Sequence, residues 1–207
     1  MGIMKKFFSQ TKKPEGFLGK MMVNGMNGAS HSALADWGFG FIKKENAVLS
    51  LDCGCGGGAN VKRLLDRSEK AYGVDYSEVS VQKSRQTNAG AVSSGRCEII
   101  RGDVSSLPFE NESFDLVTAF ETVYFWQNIG KAFSEIYRVL KNGGVFAITN
   151  ESTGTDKTSV KFSRIIDGMN LYTGDDLKAL LEKAGFTAIE IHSHPDKPWL
   201  NVTAKKL

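Results

Sequence analysis

The residues of this chain that could do chemistry are a turn nearly free of side chains and four carboxylates placed after apolar runs. Asp52-Cys53-Gly54-Cys55-Gly56-Gly57-Gly58 follows Val48-Leu49-Ser50-Leu51. Glycine has no Cβ, so a turn of this kind lets the backbone come close to a ligand. Asp75 ends the next apolar stretch, where a carboxylate can accept hydrogen bonds from a pair of ribose hydroxyls. Asp103 and Glu121 follow two further apolar stretches. The pattern calls for an adenosine-containing cofactor.

The elements that must position these groups alternate along the chain. Strands are expected at Ala47–Asp52, Lys70–Asp75, Cys97–Arg101, Ser113–Ala119 and Val145–Thr149. Helices are expected at Ala59–Ser68, after a Ser77 cap, and after an Asn128 cap, the last carrying Ile129, Ala132, Phe133, Ile136, Tyr137 and Leu140 at 3.6-residue spacing. Asn142-Gly143-Gly144 should stop that helix. Thr173 with Asp176 reads as a capping box for a helix bearing Leu177, Leu180 and Leu181 and ending at Gly185. Thr187–His192 and Asn201–Lys205 have no helix between them and should form an antiparallel hairpin. The fold class is therefore α/β, a doubly wound, Rossmann-like, mostly parallel seven-stranded sheet. Ligands of such sheets lie beyond the carboxyl ends of the strands. Asp52, Asp75, Asp103 and Glu121 all fall there. Residues 1–43 read as a basic arm followed by a helical cap rich in methionine and aromatics, and residues 44–207 as the cofactor-binding domain.

Composition narrows the class. The chain has 207 residues, 41% hydrophobic and 24% charged, with a net charge of +3. That is an ordinary soluble balance, too weakly basic to imply nucleic acid. No apolar run is long enough for a signal peptide or a membrane span, so no stable membrane insertion is expected. Three cysteines, two of them in a C-x-C pair, fit neither a zinc knuckle nor a redox motif and suit a reducing, cytoplasmic setting. His192 and His194 lack ligand-spaced partners and are expected at the surface of a late strand, so no metal is expected. The methionines of the cap would face a ligand or a second copy in a homodimer.

These motifs resemble the class I S-adenosylmethionine-dependent methyltransferases over residues 47–207, most closely over 47–150. The resemblance implies that Asp52 supports the amino acid end of S-adenosylmethionine and that Gly54 and Gly56 let the backbone pass beneath it. It implies Asp75 on the ribose hydroxyls and Tyr76 against the adenine ring. Gly102-Asp103-Val104 matches a motif whose carboxylate accepts from the adenine amino group. Phe114-Asp115-Leu116-Val117 matches the fourth strand, and Arg138-Val139-Leu140-Lys141-Asn142-Gly143-Gly144 a helix end. Leu107-Pro108-Phe109 and the cap resemble those of small-molecule and quinone-type C-methyltransferases. The implied activity is methyl transfer to a small-molecule acceptor by in-line displacement. A catalytically silent cofactor-binding homologue is an alternative. So is an NAD-dependent oxidoreductase, because Gly54, Gly56 and Ala59 also satisfy G-x-G-x-x-A. Asp52 ahead of the glycines and Asp103 after the third strand favour the methyl donor.

Methyl transfer from a sulfonium chiefly requires alignment, and a base only where the acceptor arrives protonated. The candidates are His31, Glu121 and Tyr124. Each has a structural alternative. His31 would serve as a packed histidine, and Glu121 as a loop residue bonded to its own backbone. Tyr124, with Phe125 and Trp126, would line a pocket or anchor the loop. Asp103 would cap a helix.

Overall fold

Seven apolar stretches pair into one sheet in the computed structural model, which describes residues 29–43 and 47–207. The strands are β1 (Ala47–Cys53), β2 (Ser68–Asp75), β3 (Cys97–Arg101), β4 (Phe114–Phe120), β5 (Leu140–Asn150), β6 (Thr187–Ser193) and β7 (Leu200–Lys205). Their order is β3-β2-β1-β4-β5-β7-β6. The first five run parallel, and β7 lies antiparallel to both β5 and β6. The direction of winding reverses between β1 and β4, so a crevice opens beyond their carboxyl ends.

Both faces are covered, which is why the central strands are apolar on both sides. Alternation along β5 sends Phe146 and Ile148 to one face, with Phe133 and Ile136 of α5 (Ile129–Val139) and Leu177 and Leu181 of α7 (Gly174–Lys183). It sends Val145 and Ala147 to the other, with Ala35 and Phe39 of α1 (Ala29–Phe39), Val61 and Leu64 of α2 (Ala59–Leu65), and Val81 of α3 (Glu78–Thr87). Ser77, Asn128 and the Thr173–Asp176 capping box start α3, α5 and α7 as expected. Asp115 pins the amino ends of β1 and β4: its carboxylate accepts from the N–H groups of Val48 and Leu49, both at 2.9 Å, and from Lys141.

Several boundaries differ from expectation. The Ala59 helix stops at Leu65 because Ser68 already begins β2, with its hydroxyl donating to the Leu64 carbonyl. Gly143 and Gly144 do not stop α5, which ends at Val139. They belong to the irregular start of β5, where Gly143, at φ +76°, donates to the Lys206 carbonyl. Two short helices went unforeseen: α4 (Ala89–Ser93), and α6 (Lys157–Ser163), capped by Asp156. His192 and His194 do not simply face solvent. The His192 ring stacks on Phe41 at 4.1 Å, and His194 packs against Trp37 and Trp199. Of the expected arm and cap, residues 1–28 lie outside the described residues.

Candidate functional site

At the carboxyl end of β1 the chain turns through Gly54 and Gly56, at φ +77° and +48°, conformations in which a side chain would be strained. A Cβ on Gly54 would stand 2.1 Å from Thr122 Oγ1, so this glycine lets β1 and the loop after β4 meet. A Cβ on Gly56 would have nothing within 4 Å among the described residues. That open space is a cavity of about 370 Å³, within the usual range for small-molecule sites.

Asp75 lies on the rim of this cavity, its carboxylate held by two backbone donors, Gly56 N–H at 3.0 Å and Ser77 N–H at 2.8 Å. Each oxygen keeps acceptor capacity for a hydroxyl. Burial raises its pKa against those hydrogen bonds. Tyr76, Gly102, Asp103, Val104 and Ser105 form the adjoining wall. Asp103 Oδ1 accepts from the N–H and hydroxyl of Ser105, both at 2.8 Å, so it bonds its own turn while facing the cavity. Phe120, Phe125, Trp126 and Ala132 close the far side with apolar surface, and Trp126 Nε1 donates to Thr122 Oγ1 at 3.1 Å.

A second, smaller cavity of about 100 Å³ adjoins the first, sharing Gly54, Gly56, Phe120 and Glu121, and its outer wall is His31, Ser32, Leu34 and Ala35 of α1. Glu121 sits between the two. Its backbone is left-handed, at φ +59°, because its N–H reaches the Thr149 carbonyl at 2.9 Å. Its carboxylate accepts from the Glu151 N–H and the Tyr124 hydroxyl, yet burial pushes it up to about 7. Burial, then the neighbouring Glu121 carboxylate, raise Tyr124 well above a free phenol.

Comparison with known proteins agrees with this geometry. A methyltransferase domain family matches residues 51–148. The sterol 4-C-methyltransferase strm-1 of Caenorhabditis elegans is 30% identical over 158 residues, 72% of this chain and 47% of that protein. The sterol 24-C-methyltransferase erg6 of Schizosaccharomyces pombe is 29% identical over 175 residues, 76% of this chain and 45% of that one. The chain spans about half the length of the curated relatives it matches. The chain is similar in sequence and fold to the class I S-adenosylmethionine-dependent methyltransferase superfamily. Its fold is that of solved S-adenosylmethionine-dependent methyltransferases. One from Thermotoga maritima has a TM-score of 0.76 at 17% identity, covering 99% of this chain and 100% of that one. Another, from Aquifex aeolicus, has 0.71 at 16%, covering 91% and 98%.

S-adenosylmethionine is the cofactor of this superfamily, and the residues present fit it: a backbone cradle without Cβ atoms beside a cavity that the Asp75 and Asp103 carboxylates line. Of the residues nominated from sequence, Gly54, Gly56, Asp75, Tyr76, Asp103, Val104 and Glu121 line the main cavity, and His31 the adjoining one. Asp52 does not line either. It is buried beneath the turn, its carboxylate accepting from the Thr118 hydroxyl at 2.8 Å. Tyr124 is also buried outside the cavities and touches them through Glu121, while Phe125 and Trp126 do line the main one. Sequence reading missed Glu151, which meets His31 and Glu121 in space. Its signal was its place just past β5, the same edge as the other carboxylates.

Proposed function

We propose that this protein transfers a methyl group from S-adenosylmethionine to a small, largely apolar acceptor. Bound in the cavity, that cofactor supplies a methyl already activated on a cationic sulfur, open to in-line displacement. In this reading Asp75 takes the ribose hydroxyls, Tyr76 lies along the adenine ring, and Asp103 and Val104 border its edge. Gly54 and Gly56 pass beneath the amino acid end, and Asp52, from below, adds negative potential toward a cationic ligand. Phe120, Phe125 and Trp126 exclude water and hold the apolar part of the acceptor. His31 and Glu121 hold its polar end, with the Tyr124 hydroxyl donating to Glu121 from behind, and any base is drawn from His31 and Glu121. Residues 1–43 form the arm and cap and residues 44–207 the cofactor-binding domain, with α1 covering that side of it.

The observation that carries this reading is the continuous cavity running from the Asp75–Asp103 wall to Glu121 at the switch point of the sheet. The apolar far wall and the sterol C-methyltransferases among its relatives support an apolar acceptor. Calorimetry should find micromolar binding of S-adenosylmethionine and of its demethylated product, abolished by Asp75→Ala. Radiolabelled transfer to a panel of sterols, quinone precursors, phenols and amines should then identify the acceptor class. Tight NADH binding without response to the methyl donor would overturn the proposal. Cofactor binding with no transfer to any acceptor would make the chain a silent homologue.

A further inference from the structure

Three donors from three elements meet beside the cavities: His31 in the first turn of α1, Glu121 just past β4 and Glu151 just past β5. A ring nitrogen of His31 and one carboxylate oxygen of each glutamate all lie within 4.8 Å of one another. Donors bound to one small divalent ion at about 2.0–2.2 Å stand roughly 3–4 Å apart, so modest side-chain rotation closes this trio on an ion. Among the described residues no lysine or arginine forms an ion pair with either glutamate. Arg63, which lines the small cavity, pairs with Asp36 at 3.0 Å and bonds the Ser32 hydroxyl at 2.7 Å. A second observation points to a ligand in the same place. Asn60 also lines that cavity, and its Oδ1 is buried without a hydrogen-bond partner among the described residues, an acceptor that a water on a bound ion would satisfy.

We propose that His31, Glu121 and Glu151 form a binding site for a divalent first-row cation such as Mn²⁺ or Zn²⁺. One imidazole and two carboxylates suit these ions better than Mg²⁺ or Ca²⁺, which prefer oxygen alone. Three protein ligands leave coordination positions open. Glu121 borders both cavities, so an open position is available to an oxygen of the acceptor beside the cofactor. That anchoring role rests on the methyltransferase reading; the ion site itself does not. The rival occupant is a proton on Glu121.

The test is titration of chelator-stripped full-length protein with MnCl₂, followed by the paramagnetic resonance of free Mn²⁺ and by calorimetry. One ion per chain is expected. Glu151→Gln, at an exposed position, and His31→Asn should each weaken uptake more than about tenfold. Glu190→Gln, on the far edge strand, should leave it unchanged. S-adenosylmethionine binding to the same variants should persist, which separates failure of the ion site from failure of the cofactor site. No uptake, or uptake indifferent to both ligand variants, would overturn the proposal.

Discussion

Replacing Gly56 by alanine separates the cofactor cradle from the stability of the fold. Gly56 has φ +48° and open space where a Cβ would stand. The left-handed backbone costs an alanine about 1 kcal/mol relative to glycine. In a domain of this size that lowers the melting temperature by roughly 2–4 °C. The new methyl would project into space that Gly56 lines in both cavities. Crowding a close-fitting ligand by one methyl costs about 1–3 kcal/mol, or roughly 5- to 150-fold in Kd. Gly143→Ala is the matched control. Its φ is +76° and a Cβ there also meets nothing within 4 Å among the described residues, but it lies at the opposite end of β5 from the cavities. Scanning calorimetry should therefore show similar losses of melting temperature for the two variants. Titration with S-adenosylmethionine should show loss of affinity for Gly56→Ala alone. Equal affinity in both variants would refute the claim that the cofactor passes over Gly56.

Asp75→Asn should weaken S-adenosylmethionine binding more than about tenfold and destabilise the apo fold by about 1–3 kcal/mol. Gly56 N–H and Ser77 N–H bond different carboxylate oxygens, so one would face an amide NH₂; unchanged calorimetric affinity would contradict the ribose assignment. Burial lifts Asp52 to about 7 against the hydrogen bond from Thr118. Its raised folded value means that its stabilising contribution is complete below its ordinary value near 3.8 and is lost as pH rises through about 7. Denaturation midpoints measured from about pH 5 to 8 should therefore fall, and Asp52→Asn should flatten that slope; identical slopes would exclude Asp52 as the titrating group. Gly38→Ala would place a Cβ 2.3 Å from Thr149 Oγ1 and should lift α1 from β5. Mn²⁺ uptake should drop while S-adenosylmethionine binding persists, and unchanged uptake would show that His31 is not positioned by this contact.

The order of the strands and helices was readable because periodicity and caps are local. Asn128 and Thr173 sit directly before apolar residues at helical spacing, and the structure uses both as caps. α6 escaped notice because Lys157–Ser163 carries only Val160 and Phe162 as large apolar residues. Its one signal was Asp156, whose side chain accepts from the Ser159 N–H. The start of β5 was misjudged because Gly143-Gly144 reads as a helix stop. In the fold those glycines accommodate an irregular pairing with β4, which brings the Lys206 carbonyl to the Gly143 N–H. The buried place of Asp52 follows from the parallel register of β1 and β4, which sets it opposite Thr118. No pattern within a single strand encodes that pairing.

The corner at Glu121 shows the same division more sharply. His31 and Glu121 were individually visible, as a histidine in a cap and a carboxylate after a strand, while Glu151 was missed, because the meeting of the three depends on two long-range contacts. Register pairs Phe120 with Thr149, so Glu121, next after Phe120, and Glu151, two residues after Thr149, leave the sheet at neighbouring strand ends. Gly38 lets α1 approach Thr149, and Phe39 stacks on Phe120 at 4.8 Å, which sets the helix over the same strand ends and carries His31 to them. Glycine at position 38 is thus as much a determinant of the site as the histidine itself. A side chain there would preserve every polar residue of the cluster and still pull it apart.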